Sequence, residues 1–224
     1  MYNFLMYFSL FLIYSFIGWI VDIIGDYLQN ERIVNRGFLI GPYCPIYGTG
    51  ALLIIIILSK YSNDLLVLFI MSVLVCSILE YLTSYVMEKL FHTRWWDYKT
   101  MSFNINGRVC LSNSIIFGLL GVLLVYFINP FIYNLIIKIP NVLFVIILGI
   151  LFLIFITDVI ISFNIITKIK VTADNLRKDS TEEISKKVRE ILSNKSILSR
   201  RLVNAFPDFT SISKKVKEKI NIKN

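Results

Sequence analysis

The chain alternates between long apolar stretches and short polar connections. Apolar residues dominate 4–28, 43–59, 65–90, 109–128 and 142–167, and polar residues gather at 29–41, 60–64, 91–108 and 129–140. A helix needs about 20 residues to cross a hydrocarbon layer of about 30 Å, and these runs approach or exceed that length. A water-soluble domain would interrupt its apolar runs more often, because its helices must also show a polar face to solvent. The pattern predicts an all-α fold, a polytopic membrane bundle of five transmembrane helices over residues 1–167. Residues 168–224 read differently. Ser180 and Glu183 have the spacing of a capping box, and Ile184, Val188, Ile191 and Leu192 then recur on one helical face. Further amphipathic helices are expected at 197–206, which Pro207 stops, and at 213–220. This basic tail is expected to be cytoplasmic, lying on the headgroups or docking a partner.

Composition agrees with a membrane protein: 56% of residues are apolar and the mean hydropathy is +0.70. The placement of charge adds orientation. Of the net +8, none comes from residues 1–167, which carry eight Lys/Arg and eight Asp/Glu; residues 168–224 carry fifteen against seven. Such basicity serves nucleic acid in other settings. Attraction to anionic inner-leaflet lipids, about 1 kcal/mol per nearby cation, accounts for it more simply. In a five-span bundle Arg32, Arg36, Lys89, Arg94, Lys99 and Arg108 share one side, and Lys60 and Lys138 the other. Cations mark the cytoplasmic side, so the N-terminus is expected outside and the C-terminus inside. The opening Met-Tyr-Asn carries no basic segment, which favours a retained helix over a cleaved signal. Three cysteines, one histidine and no CxxC predict free thiols and neither a zinc site nor a cofactor.

Ionisable residues inside apolar runs are the most informative positions, because a charge in lipid costs several kcal/mol unless protein or water surrounds it. In the third run Ser77, Glu80, Tyr81, Ser84, Tyr85 and Glu88 fall on one helical stripe. In the first, Ser15, Gly18, Asp22, Gly25 and Asp26 do the same, with glycines that permit close helix approach. Asp158 interrupts the fifth run. Asp22, Glu80 and Asp158 are placed to meet in the inner half of the membrane, with Arg36 and Arg108 as partners. The connections add Asn35, Asp97, Asn104 and Asn106, completing a candidate polar cavity of Asp22, Asp26, Asn35, Arg36, Glu80, Glu88, Asp97, Asn104, Asn106, Arg108 and Asp158. Structural ion pairing that fixes helix register competes with this cavity. The Trp95–Trp96 pair reads as an interfacial anchor. Asn35-Arg36-Gly37 with Cys44 answers Asn106-Gly107-Arg108 with Cys110, so a parallel duplication of a two-helix unit competes with chance similarity.

There is no GxxxxGK[ST], HExxH or GxSxG in the chain, so it is not itself a P-loop ATPase. Several segments do carry a resemblance: Tyr14-Ser15-Phe16-Ile17-Gly18-Trp19, Asn35-Arg36-Gly37-Phe38-Leu39, Gly41-Pro42-Tyr43-Cys44-Pro45-Ile46-Tyr47-Gly48, Glu80-Tyr81, Glu88-Lys89-Leu90-Phe91, Trp95-Trp96-Asp97-Tyr98 and Phe103-Asn104-Ile105-Asn106-Gly107-Arg108. Together they resemble the ABC-transporter type IV, or CmpB-like, family of bacterial integral membrane proteins over about residues 10–120. That family usually has Glu where this chain has Asp22. The resemblance implies a permease-like membrane subunit that needs a separate ATPase subunit, and a homodimer is expected because five spans are few for a whole pathway. Two other functions compete on the residues alone. One is an interfacial enzyme on an anionic lipid or isoprenoid-type substrate, with loop arginines on the head group and Asp97 or Glu80 as general base. The other is a non-catalytic scaffold or regulator acting through the tail.

Overall fold

The structure is a computed structural model and describes residues 2–31, 35, 37–91 and 94–178. Arg36 and the predicted tail helices at 180–192, 197–206 and 213–220 lie outside the described residues. The described residues are mostly helical. α1 (Tyr2–Asn30) leads through a non-helical loop to α2 (Pro45–Leu53), and α3 (Leu65–Phe91) to α4 (Leu111–Leu123). α5 (Asn129–Ile136) continues α4, and α6 (Asn141–Lys178) follows. A two-residue ribbon, β1 (Asn104–Ile105) against β2 (Val109–Cys110), is the single addition to the all-α reading among the described residues.

Among the described residues four helices are long and apolar enough to cross a membrane: Asn3–Leu28, Leu65–Phe91, Leu111–Ile136 and Asn141–Thr167. The second predicted run, 43–59, forms a shorter apolar helix, Pro45–Tyr61. Its late start has a local cause. Gly41, Pro42 and Pro45 resist helix, and Pro45 is tolerated in the first turn, where its missing N–H is not needed. Beyond Leu53 the helix widens into a π segment, Ile54–Leu58, and ends in a 3-10 turn, Ser59–Tyr61. The fourth run starts near its expected place but continues further, through a π segment at Leu124–Ile128 into α5. Pro130 lacks the N–H that would bond back into the preceding turn, and the widened turn accommodates it. Asp64 caps α3, accepting the N–H groups of Leu66 at 3.1 Å and Val67 at 3.0 Å.

The helices pair as two hairpins, α1 with α2 and α3 with α4. Small residues allow the approach. A side-chain carbon at Gly48 would collide with Ser15 Oγ and the Phe11 carbonyl, and one at Gly121 with Ser72. α3 illustrates the inversion expected in lipid. Leu66, Ile70, Leu74, Ile78, Leu82 and Val86 form an exposed apolar row, whereas Ser72, Glu80 and Ser84 face inward. An apolar core gathers the first half of α1, the end of the α2 segment, the start of α3, α5 and the start of α6, through Leu10, Leu58, Leu68, Ile136 and Phe144. The polar groups collect at the opposite end of the bundle. α6 attaches by one face, with Phe152 and Phe155 set edge-on against Phe8 and Phe11.

Candidate functional site

Asp22, Glu80 and Asp158, the acids that sit deep in their spans, each bond a group from another element. On α1, Asp22 Oδ1 accepts the Tyr47 hydroxyl of α2 at 2.5 Å. Gly18 makes this possible, because Tyr47 lies directly over it. On α3, Glu80 is 5% exposed and its Oε1 accepts the Tyr98 hydroxyl at 3.0 Å. Its Oε2 is buried without a hydrogen-bond partner among the described residues. Tyr47 and Tyr98 lie close enough to interact electrostatically. Asp22–Tyr47 and Tyr98–Glu80 are thus two acid–phenol pairs, one in each hairpin, that lie near each other and together make up a polar seam. Burial first, and the Glu80 carboxylate second, push the Tyr98 phenol above its ordinary value. The three cysteines flank this seam: Cys44 beside Asp22, Cys76 beside Glu80 and Cys110 beside Tyr98. Cys44 and Cys110 also occupy equivalent places, each extended immediately before the helix of its hairpin.

Asp158 is separate from that seam. It accepts the backbone N–H of Ile40 at 3.0 Å and of Gly41 at 2.7 Å, and the Ser162 hydroxyl at 2.8 Å. This satisfies the irregular backbone at residues 37–44, which would otherwise cost several kcal/mol per unpaired group in lipid. Asn35 closes the same loop, donating to the Ile40 carbonyl at 3.2 Å and accepting the Gly37 N–H at 2.9 Å. Asp26 is buried on α1. Asp22 and Glu80 thus come together through two phenols, while Asp158 serves the loop before α2.

The remaining predicted residues converge on the α3–α4 connection. Glu88 binds Arg108 Nη2 at 2.7 Å and Arg94 Nε at 2.9 Å. Arg108, expected to answer the deeper acids, is held by Glu88 and lies over the rings of Tyr81 and Tyr85. Asp97 pairs with Lys99 at 3.3 Å and Arg94 at 3.6 Å. Asn104 and Asn106 shape the ribbon turn: Asn104 accepts the Gly107 N–H at 2.9 Å, and Asn106 donates to the Tyr81 hydroxyl at 3.0 Å. Asn106 and Gly107 have φ of 54° and 69°, a left-handed pair that suits a tight hairpin. The tryptophans act within the protein as well. Trp96 donates to the Arg108 carbonyl at 2.9 Å, and Trp95 packs on Phe91 and Phe38.

Sequence reasoning missed Tyr47, Tyr98 and Ser162, and counted Arg94 and Lys99 only as topological charges. Tyr47 and Tyr98 did lie inside segments that carry the family resemblance, Gly41–Gly48 and Trp95–Tyr98. No group of three or more His, Cys, Asp or Glu with metal-binding geometry occurs among the described residues. No curated protein and no solved structure matches the chain. The family described as Putative ABC-transporter type IV matches residues 9–163, from the second turn of α1 past Asp158 on α6. The chain belongs to that family of membrane proteins.

Proposed function

We propose that this chain is the permease-like membrane component of an ABC-type transporter, with five spans, the N-terminus outside and the C-terminus in the cytoplasm. In this reading Pro45–Tyr61 completes the fifth crossing, a separate P-loop ATPase supplies the energy, and two copies assemble around the pathway. The observation that carries the proposal is the seam from Asp22 through Tyr47 and Tyr98 to Glu80. Two carboxylates among apolar helices are costly to keep in lipid, and a bundle with no use for them would be more stable without them. Each acid–phenol bond lies within one hairpin, Asp22–Tyr47 joining α1 to α2 and Glu80–Tyr98 joining α3 to its connection, so a shift between the hairpins would change only how the two phenols meet and leave both bonds in place. Alternating exposure of a path requires such an element, one with two arrangements of similar energy.

The test is purification of the full chain with its native partners, followed by ATP hydrolysis. A P-loop ATPase should co-purify, and its turnover should fall at least several-fold when the membrane subunit carries Glu80→Gln or Tyr98→Phe. Isolation of the intact chain from native membranes without any ATPase would overturn the proposal. So would full turnover with both substitutions in place.

A further inference from the structure

The α3–α4 connection forms a cleft that the seam does not use. It encloses about 530 Å³ and is lined by Tyr81, Tyr85, Arg94, Lys99, Asn106 and Arg108. The cations are fixed in advance. Arg108 is 9% exposed and is held by Glu88, Ser84 and two tyrosine faces. Arg94 is held by Glu88 and by the Asn106 carbonyl at 3.0 Å. Lys89 stands beside Tyr85 on the rim. Glu88 and Asp97 offset part of this charge, but both are already engaged by the cations, and the three lining cations, Arg94, Lys99 and Arg108, outnumber the two acids. Tyr81 accepts from Asn106, which leaves its own O–H to donate. Arginine forks and a phenol O–H in one cleft suit an oxyanion.

The same loop carries a second, independent feature. Met101, Phe103 and Ile105 are 51%, 81% and 60% exposed, three apolar side chains within five residues. Phe103 is held at φ 51°, a strained conformation for a non-glycine residue, and its ring is turned away from the protein. In water this tip would be unfavourable by roughly 25 cal/mol per Å² of apolar surface, whereas the acyl layer beside a headgroup would receive it. We propose that the connection binds an anionic phospholipid, with the phosphate in the cleft and Met101, Phe103 and Ile105 against the acyl chains. A soluble phosphate would give the apolar tip no role, and a zwitterionic head group would bring its own cation into a positive cleft. The proposal does not depend on an ATPase partner.

The full chain, purified in detergent and stripped of lipid, is titrated with dioctanoyl phosphatidylglycerol, dioctanoyl phosphatidylcholine or inorganic phosphate, following Trp95 and Trp96 fluorescence. Phosphatidylglycerol should saturate at a concentration at least about tenfold below either of the others, the scale of one charge-assisted bond. Lys99→Gln and Arg94→Gln should each weaken that binding several-fold, and Phe103→Ser should weaken phosphatidylglycerol while leaving phosphate unchanged. Lys60→Gln, distant from the cleft, should have no effect. Lys99 is largely exposed, with 60% of its side chain open to solvent, so its substitution tests binding and not folding. Equal affinity for the two lipids overturns the proposal. So does phosphate binding as tight as phosphatidylglycerol, or Lys99→Gln binding like the wild type.

Discussion

Glu88 does more for the α3–α4 connection than its place at a helix end suggests, because one carboxylate holds both Arg94 and Arg108. Replacing it by Gln removes the charge that two guanidinium groups share and leaves Arg108 poorly compensated in a buried position. The expected loss is about 1–3 kcal/mol, seen as a lower midpoint in detergent thermal unfolding, with Lys60→Gln as the neutral reference. Tyr98 gives a pH signature of definite sign. Its phenol sits above the ordinary 10.0 when folded, because of burial and then Glu80. The folded chain therefore holds a proton that the unfolded chain releases above about pH 10, and stability falls as pH rises past that point. Thermal midpoints between pH 8 and 11 should fall less steeply for Tyr98→Phe than for the wild type. The acids themselves were visible in the sequence, since a charge inside an apolar run is too costly in lipid to go unanswered. Their partners were not. Tyr47 and Tyr98 are two of twelve tyrosines, and Asp158 binds main-chain N–H groups, which no side-chain pattern records.

Elements meet where glycine removes a side chain. At Gly48 an added carbon would meet the Ser15 hydroxyl and the Phe11 backbone, and backbone cannot step aside. Gly48→Ala should cost about 1–3 kcal/mol by overpacking the α1–α2 hairpin. Gly149 has nothing within 4 Å, so Gly149→Ala should leave stability unchanged or raise it by up to about 1 kcal/mol through helix propensity. Equal losses at the two sites in the same unfolding assay would show that helix contact is not what Gly48 serves. The lengths of α1 and α3 were legible as uninterrupted apolar runs, whereas α6 runs on to Lys178, past the end of its apolar run at 167. The second run keeps its length but starts two residues later than apolarity alone suggests, because the glycines and prolines before Pro45 keep the backbone bent and non-helical. The π segments left no trace in the pattern, since Ile54–Leu58 and Leu124–Ile128 are as apolar as ordinary helix. The α3 stripe was read well: Ser77 meets Ser114 at 2.7 Å, and Glu80, Tyr81, Ser84 and Glu88 all contact the following connection or α4.

For the whole molecule, the short helix decides the topology. Pro45–Tyr61 spans 17 residues, or roughly 25 Å at 1.5 Å per residue, close to but below a full crossing. If it crosses, Glu31→Cys and Asn63→Cys, which flank it and are introduced singly into a chain lacking the native cysteines, should react with an impermeant maleimide from opposite faces. Labelling from the same face would make it a re-entrant segment and, with four crossings left, put both termini on one side. Charge counting yields an expected orientation but says nothing of this length, because it assumes that every apolar run crosses. α6 adds a mechanical consequence. It continues unbroken from Asn141 to Lys178, and its polar fastening to the bundle is at Asp158. About 30 Å of rigid rod lies beyond that fastening, so a tilt of about 5° there displaces the far end by about 2.6 Å. A loosening at Gly41 too small to open the membrane would thus be reported outside it as a movement the width of an atom.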